Sequence, residues 1–247
     1  MPNVADLRVK LFADGADLST IRRLVSDPLI KGFTTNPTLM RRAKVHDYSA
    51  FAKDLLEIVP DRPISFEVFS DDFLEMEQQA LEIASWGHNV YVKIPVTDTR
   101  GTSAGPLIQR LVRAGVQVNV TAVLTVEQVT RVAECLSEDV ASCVSVFAGR
   151  IADTSMDPIP VVAEAVRIVQ PLSHTEIIWA SPRELLNVFQ ADEIGCHIIT
   201  ATADVLAKLS LVGKDLTQYS LDTVKMFRDD AVAAGYSITP IRRPASA

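Results

Sequence analysis

Two hydrophobic periods alternate along the chain. Short apolar runs, several with a period of two, read as strands over 9–13, 32–35, 64–69, 90–96, 116–123, 143–148, 176–180 and 197–201. Stretches with a 3.6-residue period lie between them, over 18–24, 48–58, 73–85, 106–114, 126–136, 160–169, 182–191 and 204–211. Eight strands thus alternate strictly with eight helices. Strict alternation implies a parallel sheet with right-handed crossovers. Eight such units in about 210 residues is the count of a closed (β/α)8 TIM barrel. A doubly wound open sheet is the alternative. It calls for a Gly-rich first turn, and the first turn here, Asp14-Gly15-Ala16-Asp17, has no G-x-G-x-x-G.

The expected organisation is one barrel domain over 1–247, with 220–236 an additional C-terminal helix and 240–247 a loose tail. Leu221, Val224, Phe227, Ala231 and Ala234 share one face of that helix. Its expected place is across the barrel mouth or against a neighbouring subunit.

A barrel strand shows one face to the helices and one to the axis. The helix-facing set is expected to be apolar: Val9, Leu11 and Ala13; Phe33 and Thr35; Ile64, Phe66 and Val68; Val118, Val120 and Ala122; Val144, Val146 and Ala148. The inward set is then Lys10, Phe12, Asp14, Thr34, Asn36, Ser65, Glu67, Phe69, Lys93, Asn119, Thr121, Ser145 and Phe147, and on the seventh strand Ser181 with the parity of Ile177 and Trp179. A barrel core without chemistry fills these layers with branched apolar residues. Here nearly every strand sends a polar group inward, late in its run, near the face where barrel enzymes keep their sites.

Lys93 stands out. It lies in Val-Tyr-Val-Lys-Ile-Pro-Val, a run of strand-formers. Read alone, it is also a strand-end lysine snorkelling to water. The parity of the other strands argues for the interior. An ammonium there is costly unless paired, and an amine in such a setting suits Schiff-base chemistry.

Composition narrows the setting. Apolar residues make up 48% and charged residues 22%, as in an ordinary globular protein. The net charge of −7 argues against broad nucleic-acid or anionic-membrane binding. Cys135, Cys143 and Cys196 have no C-x-x-C spacing, which fits a reducing cytoplasm. His46, His88, His174 and His197 form no metal-ligand spacing. No apolar run approaches about 18 residues, and no basic-then-apolar signal opens the chain, so a cytoplasmic location is expected.

The chemistry that fits is carbonyl addition through an amine. Lys93 attacks a ketone, and the resulting iminium accepts electrons when an adjacent C–C bond breaks. Asp14 and Glu67 are the carboxylates available as acid and base. Thr121 is placed to hold a water between Glu67 and the amine. Asn36, Asn119 and Ser145 suit the hydroxyls of a sugar-like substrate. Ser181 and Arg183 follow the seventh strand where a helix start would make an anion site, with Gly149-Arg150 at the end of the sixth.

The ordered set Ala13-Asp14, Thr34-Thr35-Asn36-Pro37, Phe66-Glu67-Val68, Val92-Lys93-Ile94-Pro95, Asn119-Val120-Thr121, Ser145-Val146-Phe147-Ala148-Gly149-Arg150 and Ala180-Ser181-Pro182-Arg183 resembles the transaldolase family, which includes the fructose-6-phosphate aldolases. The resemblance spans nearly the whole chain. It implies a (β/α)8 barrel, no metal, no cofactor and a lysine Schiff base on the fourth strand. It implies transfer of a dihydroxyacetone unit from a ketose phosphate to an aldose phosphate. In that likeness Lys93 is the nucleophile and Asp14 the acid/base at the cleaved bond. Glu67 and Thr121 handle proton and water. Thr34, Asn36, Asn119, Ser145 and Phe147 orient the donor. Arg183, Ser181 and Arg150 hold the phosphate. Glu67 and Phe147 look like the transferase branch, since the aldolase branch tends to carry glutamine and tyrosine there. Pro182 departs from the phenylalanine often found in the family, and the loop 97–105 is longer than in its shortest members. The same lysine chemistry also serves an aldolase releasing free dihydroxyacetone or a relative cleaving sulfonated sugars. A catalytically silent sugar-phosphate-binding barrel is the reading from another class. A homo-oligomer is expected.

Overall fold

The computed structural model describes residues 3–238. Residues Val4–Ser210 form one unit, and the described residues 211–238 belong to a second. In the first, a 3₁₀ turn leads into β1 (Lys10–Asp14), α1 (Leu18–Val25), β2 (Ile30–Thr34), α2 (Pro37–Arg42), α3 (Tyr48–Ile58), β3 (Ile64–Glu67), α4 (Phe73–Ala84) and β4 (Val90–Pro95). Then follow α5 (Gly105–Arg113), β5 (Val118–Val123), α6 (Val126–Ala133), β6 (Ser142–Val146), α7 (Ala148–Ala152), α8 (Ile159–Val169), β7 (Thr175–Trp179), α9 (Leu186–Glu193), β8 (Ile198–Ala201) and α10 (Ala203–Ala207). The strands are parallel and close in sequence order, β1 to β8 and back to β1. The expected (β/α)8 barrel is the fold.

The caps explain where helices begin. Asp17, Asp47 and Asp72 each accept backbone N–H groups in the first turn of α1, α3 and α4. Thr125 and Gln128 form a capping box at α6. The core lies between strands and helices and holds Val9, Leu11, Phe33, Ile64, Phe66, Val92, Ile94, Val118, Val120, Val144 and Val146. A second apolar cluster, Phe12, Cys143, Ile178, Ala180 and Ile198, lies apart from it, with the partly buried Tyr91 and Phe147 against it. The parity of these residues makes it the packing inside the barrel. The Phe12 ring lies against Gly32, where an added Cβ would stand 2.4 Å from the ring. Only glycine leaves that space.

Some expectations are corrected. On β7 it is Ile178 and Ala180 that join the inner cluster, while Ile177 and Trp179 face the helices. An unbroken apolar run buried on both faces carries no alternation to read. On β5 the register shifts between Val120 and Val123, and Ala122 takes a left-handed backbone (φ +61°). This bulge turns Ala122 away from the helix side. Phe69 is exposed and lies edge-on to Tyr48, because β3 ends at Glu67. The helices α2 and α7 were not expected, being too short to show a period. The stretch expected as a helix from 182 becomes a turn, with α9 starting at Leu186.

In the second unit, α11 (Leu216–Ala233) starts earlier than expected, capped by Asp215. None of its residues is buried, and Leu221, Val224 and Phe227 are among its exposed apolar side chains. The expected loose tail, 240–247, lies outside the described residues. No helix among those residues is long and apolar enough to cross a membrane.

Candidate active site

Parallel register sets the centre of the site. Glu67 pairs with Lys93 across β3 and β4, and Lys93 pairs with Asn119 across β4 and β5. Side chains opposite one another on adjacent strands point the same way. Glu67 and Lys93 therefore meet: Lys93 Nζ is 3.5 Å from Glu67 Oε2. It also donates to the Thr35 carbonyl at 2.9 Å. The Lys93 side chain is 7% exposed and that of Glu67 18%, so the pair is largely out of water. Burial pushes the Glu67 carboxyl above its ordinary range, against the lowering pull of Lys93.

Asp14 ends β1 opposite Thr34. Thr34 Oγ1 donates to Asp14 Oδ1 at 2.8 Å and itself meets Thr200 Oγ1 at 2.6 Å. Asn36 Nδ2 reaches Asp14 Oδ2 at 3.4 Å, while Asn36 Oδ1 caps α2 through the Leu39 N–H. That cap, with Pro37 at the first helical position, ties the Asn36 side chain to the fold rather than leaving it mobile. Burial again dominates and raises the Asp14 carboxyl above its usual value, opposed by Lys93 and then by the bonds from Thr34 and Asn36.

The polar layer is organised by Asn119. Its Nδ2 donates to Ser65 Oγ at 3.0 Å, and its Oδ1 accepts from Ser145 Oγ at 2.7 Å. Thr121 Oγ1 is buried and meets no hydrogen-bond partner among the described residues. An unpartnered buried hydroxyl is costly and uncommon in a native fold.

The ends of β6 and β7 carry the basic side. Gly149, the second residue of α7, lies against the turn after β7, where an added Cβ would stand 1.7 Å from the Ser181 carbonyl oxygen. Only glycine permits that approach. Ser181 has a left-handed backbone (φ +58°). Arg183 is not at a helix start: its N–H donates to Asn187 Oδ1 at 2.8 Å, and its guanidinium grips both carboxylate oxygens of Asp153. Arg150 lies over the Phe147 ring at 5.7 Å and stands in no ion pair among the described residues.

All the residues given a catalytic or binding role from the sequence except Asn119 line one cavity of about 380 Å³ at the C-terminal ends of the strands. Asn119 is fully buried and backs Ser145 instead. The cavity wall adds Leu39, Arg42, Ala122, Thr200 and Thr202. Thr200 has the inward parity of Ile198, a signal that was legible. Ala122 depends on the bulge, and Arg42 on an unforeseen helix. A neighbouring cavity of about 450 Å³ shares Asp14, Leu39, Arg42 and Thr202 but contains neither Lys93 nor Glu67. Among the described residues no three His, Cys, Asp or Glu side chains gather as a metal site.

The arrangement offers a desolvated amine, two carboxyls held toward the protonated form, hydroxyls at several heights and arginines at one rim. Such a set can form a carbinolamine and move protons around it. The family model for transaldolase/fructose-6-phosphate aldolase matches residues 11–238. A probable transaldolase of Thermoanaerobacter sp. (strain X514) is 34% identical over 231 residues, covering 93% of this chain and 100% of that protein. Probable transaldolases of Streptococcus agalactiae (35% over 216 residues, 87% and 95% of the two chains) and Dehalococcoides mccartyi (32% over 202 residues, 81% and 90%) are also similar. The crystal structure of KGPDC from Streptococcus mutans superposes with a TM-score of 0.57 at 10% identity, over 82% of this chain and 91% of that one, a likeness of fold alone.

Proposed function

The chain belongs to the transaldolase/fructose-6-phosphate aldolase family, and on that footing we propose that it is a transaldolase working through a Schiff base on Lys93. The observation that carries the reading is the buried Lys93 amine beside Glu67, with Asp14 lining the same cavity. The donor is a ketose phosphate such as fructose 6-phosphate or sedoheptulose 7-phosphate. The acceptor is an aldose phosphate such as erythrose 4-phosphate or glyceraldehyde 3-phosphate.

The amine of Lys93 adds to the C2 carbonyl. Glu67, with a water held by Thr121 Oγ1, carries the protons that turn the carbinolamine into an iminium and release water. Asp14 takes the proton of the C4 hydroxyl. The C3–C4 bond then breaks, its electron pair moves into the iminium, and the aldose leaves an enamine behind. The same steps in reverse join the three-carbon unit to the acceptor, and hydrolysis frees Lys93. Thr34 and Asn36 hold Asp14 and reach the donor hydroxyls. Ser145, backed by Asn119, meets the C1 end. Arg150, Arg183 and Ser181 hold the phosphate, with Asp153 setting the Arg183 fork. This chemistry belongs to the non-oxidative exchange of the pentose phosphate pathway, in the cytoplasm.

Phe147 favours the transferase over an aldolase, because a phenyl ring lining the cavity has no hydroxyl to protonate or hydrate the enamine. With fructose 6-phosphate, turnover is expected to rise at least about 10-fold when erythrose 4-phosphate is added, in keeping with one well-placed proton-transfer group being worth 10²–10⁴. Equal release of glyceraldehyde 3-phosphate with and without acceptor, accompanied by free dihydroxyacetone, would replace the transferase reading by the aldolase one. A donor cleaved only as its sulfonate would move the reading to sulfosugars.

The same reading includes a homo-oligomer held through α11, whose apolar Leu221, Val224 and Phe227 are exposed in the single chain. Leu221→Asp and Phe227→Asp are expected to shift the protein to monomer on sizing with light scattering. An unchanged mass for both places the contact elsewhere.

A further inference from the structure

We infer that Tyr48 is a positioning residue: its hydroxyl takes over the backbone of Glu67 at the end of β3, leaving the Thr35 carbonyl to the Lys93 amine. This rests on the roles given to Lys93 and Glu67 above.

The β2–β3 ladder has a clear rhythm. Phe33 N–H donates to the Pro63 carbonyl, and Thr35 N–H to the Ser65 carbonyl. The other set of β3 amides faces β4, as Ile64 N–H to the Asn89 carbonyl and Val68 N–H to the Lys93 carbonyl show. In a parallel ladder, successive residues direct their backbone groups to opposite neighbours. Glu67 N–H therefore points toward β2, where the next acceptor in the ladder is the Thr35 carbonyl. The rung is not made. Glu67 N–H donates to Tyr48 Oη at 2.8 Å, and Tyr48 Oη donates to the Glu67 carbonyl at 3.0 Å. One hydroxyl on α3 thus satisfies both backbone groups of the residue that carries the candidate proton shuttle. The Thr35 carbonyl receives Lys93 Nζ at 2.9 Å instead.

The hydroxyl is held firmly. The Tyr48 ring meets Phe69, Trp86 and Phe66 edge-on, with centroids 4.5, 5.7 and 6.1 Å away. Burial pushes the phenol far above its ordinary value, so it remains a neutral donor and acceptor. Tyr48 is absent from the cavity wall, so it acts on the reaction through Glu67.

Tyr48→Phe keeps the ring contacts and removes only the oxygen. The Glu67 N–H, left buried and unpaired, is then driven to the nearest ladder acceptor, Thr35 O, in competition with Lys93. The expected result is a fall in kcat of about 10-fold with KM changed less than about 2-fold, the pattern of a loss confined to the chemical steps. The acid limb of the kcat–pH profile is expected to shift, because the Lys93 field that lowers the Glu67 pKa changes once the Thr35 carbonyl no longer fixes the amine. Exchange of the Glu67 amide hydrogen should quicken at least about 10-fold, as expected when the bond to Tyr48 Oη gives way to one contested by Lys93 and broken part of the time. A Tyr48 that served packing alone would lower Tm and leave the pH profile in place. Unchanged kcat and pH profile in Tyr48→Phe overturn the inference. So does a wild-type Glu67 amide that exchanges as fast as an exposed one, a measurement that needs no variant. Borohydride trapping of wild-type enzyme with fructose 6-phosphate separates the two levels. No adduct on Lys93 overturns the Schiff-base reading and this inference together. An adduct with an unaltered Tyr48→Phe profile overturns this inference alone.

Discussion

Lys93→Met is expected to lower kcat/KM by about 10⁴-fold or more, the scale on which removing a covalent nucleophile acts. That is roughly 5 kcal/mol of transition-state stabilisation. Methionine fills nearly the same volume in the inner layer, so packing around Val92 and Ile94 is retained and the loss belongs to the amine. The contrast with a surface lysine is quantitative. A snorkelling lysine would cost little on replacement, whereas this one is 7% exposed and sits 3.5 Å from a carboxylate. The measurement has two arms. Wild-type enzyme treated with borohydride and a ketose phosphate should gain a reduced adduct on the peptide carrying Lys93, and Lys93→Met should gain none. Activity within about 10-fold of wild type in Lys93→Met, or an adduct on another lysine, would end the mechanism proposed for this site.

Asp14→Asn should separate activity from stability. Loss of a proton acceptor at the cleaved bond is expected to reduce kcat by about 10²–10⁴-fold. Stability should move the other way at neutral pH. Burial raises the folded-state pKa of Asp14 above its unfolded value. Between those two values the folded protein holds more protons than the unfolded chain, so stability falls as pH rises through that window. Above the window the whole cost of an ionised, desolvated carboxyl is in place. Asparagine removes it, and Tm at pH 7 is expected to rise by a few degrees, about the shift that ~1 kcal/mol produces in a domain of this size. Below the ordinary carboxylate pKa both proteins carry a neutral side chain there, and the gap should close. Glu67 carries the same sign, since burial raises it too. Thermal melts across pH with parallel kinetics decide the matter. An Asp14→Asn protein that is inactive but no more stable at neutral pH would show that Asp14 is solvated in the fold.

Much of the architecture was open to reading because it is local. The eight strands and the eight longer helical stretches between them follow from periods a few residues apart. Inward parity on six strands delivered Asp14, Thr34, Glu67, Lys93, Thr121 and Ser145 to one cavity. Where the local signal failed, a physical reason can be named. The run Ile177-Ile178-Trp179-Ala180 is apolar on both faces, so its alternation was silent. The bulge that turns Ala122 into the cavity leaves no mark in composition. The helix that brings Arg42 to the wall is only six residues long. Arg183 looked like the first turn of a helix, yet a left-handed Ser181 and the Asn187 amide make a separate turn before α9.

By itself the sequence determined the barrel and the kinds of group that face its axis, because side-chain alternation is a property of each strand alone. Tertiary structure alone decided who meets whom. Strand register set Glu67 beside Lys93 and dropped Asn119 beneath Ser145. Closure of the sheet joined Thr34 to Thr200 across 166 positions of chain. A missing rung between β2 and β3 left the Thr35 carbonyl to the amine and called in Tyr48. Register, closure and bulges are set by the packing of all eight units together, and no one of those units encodes them.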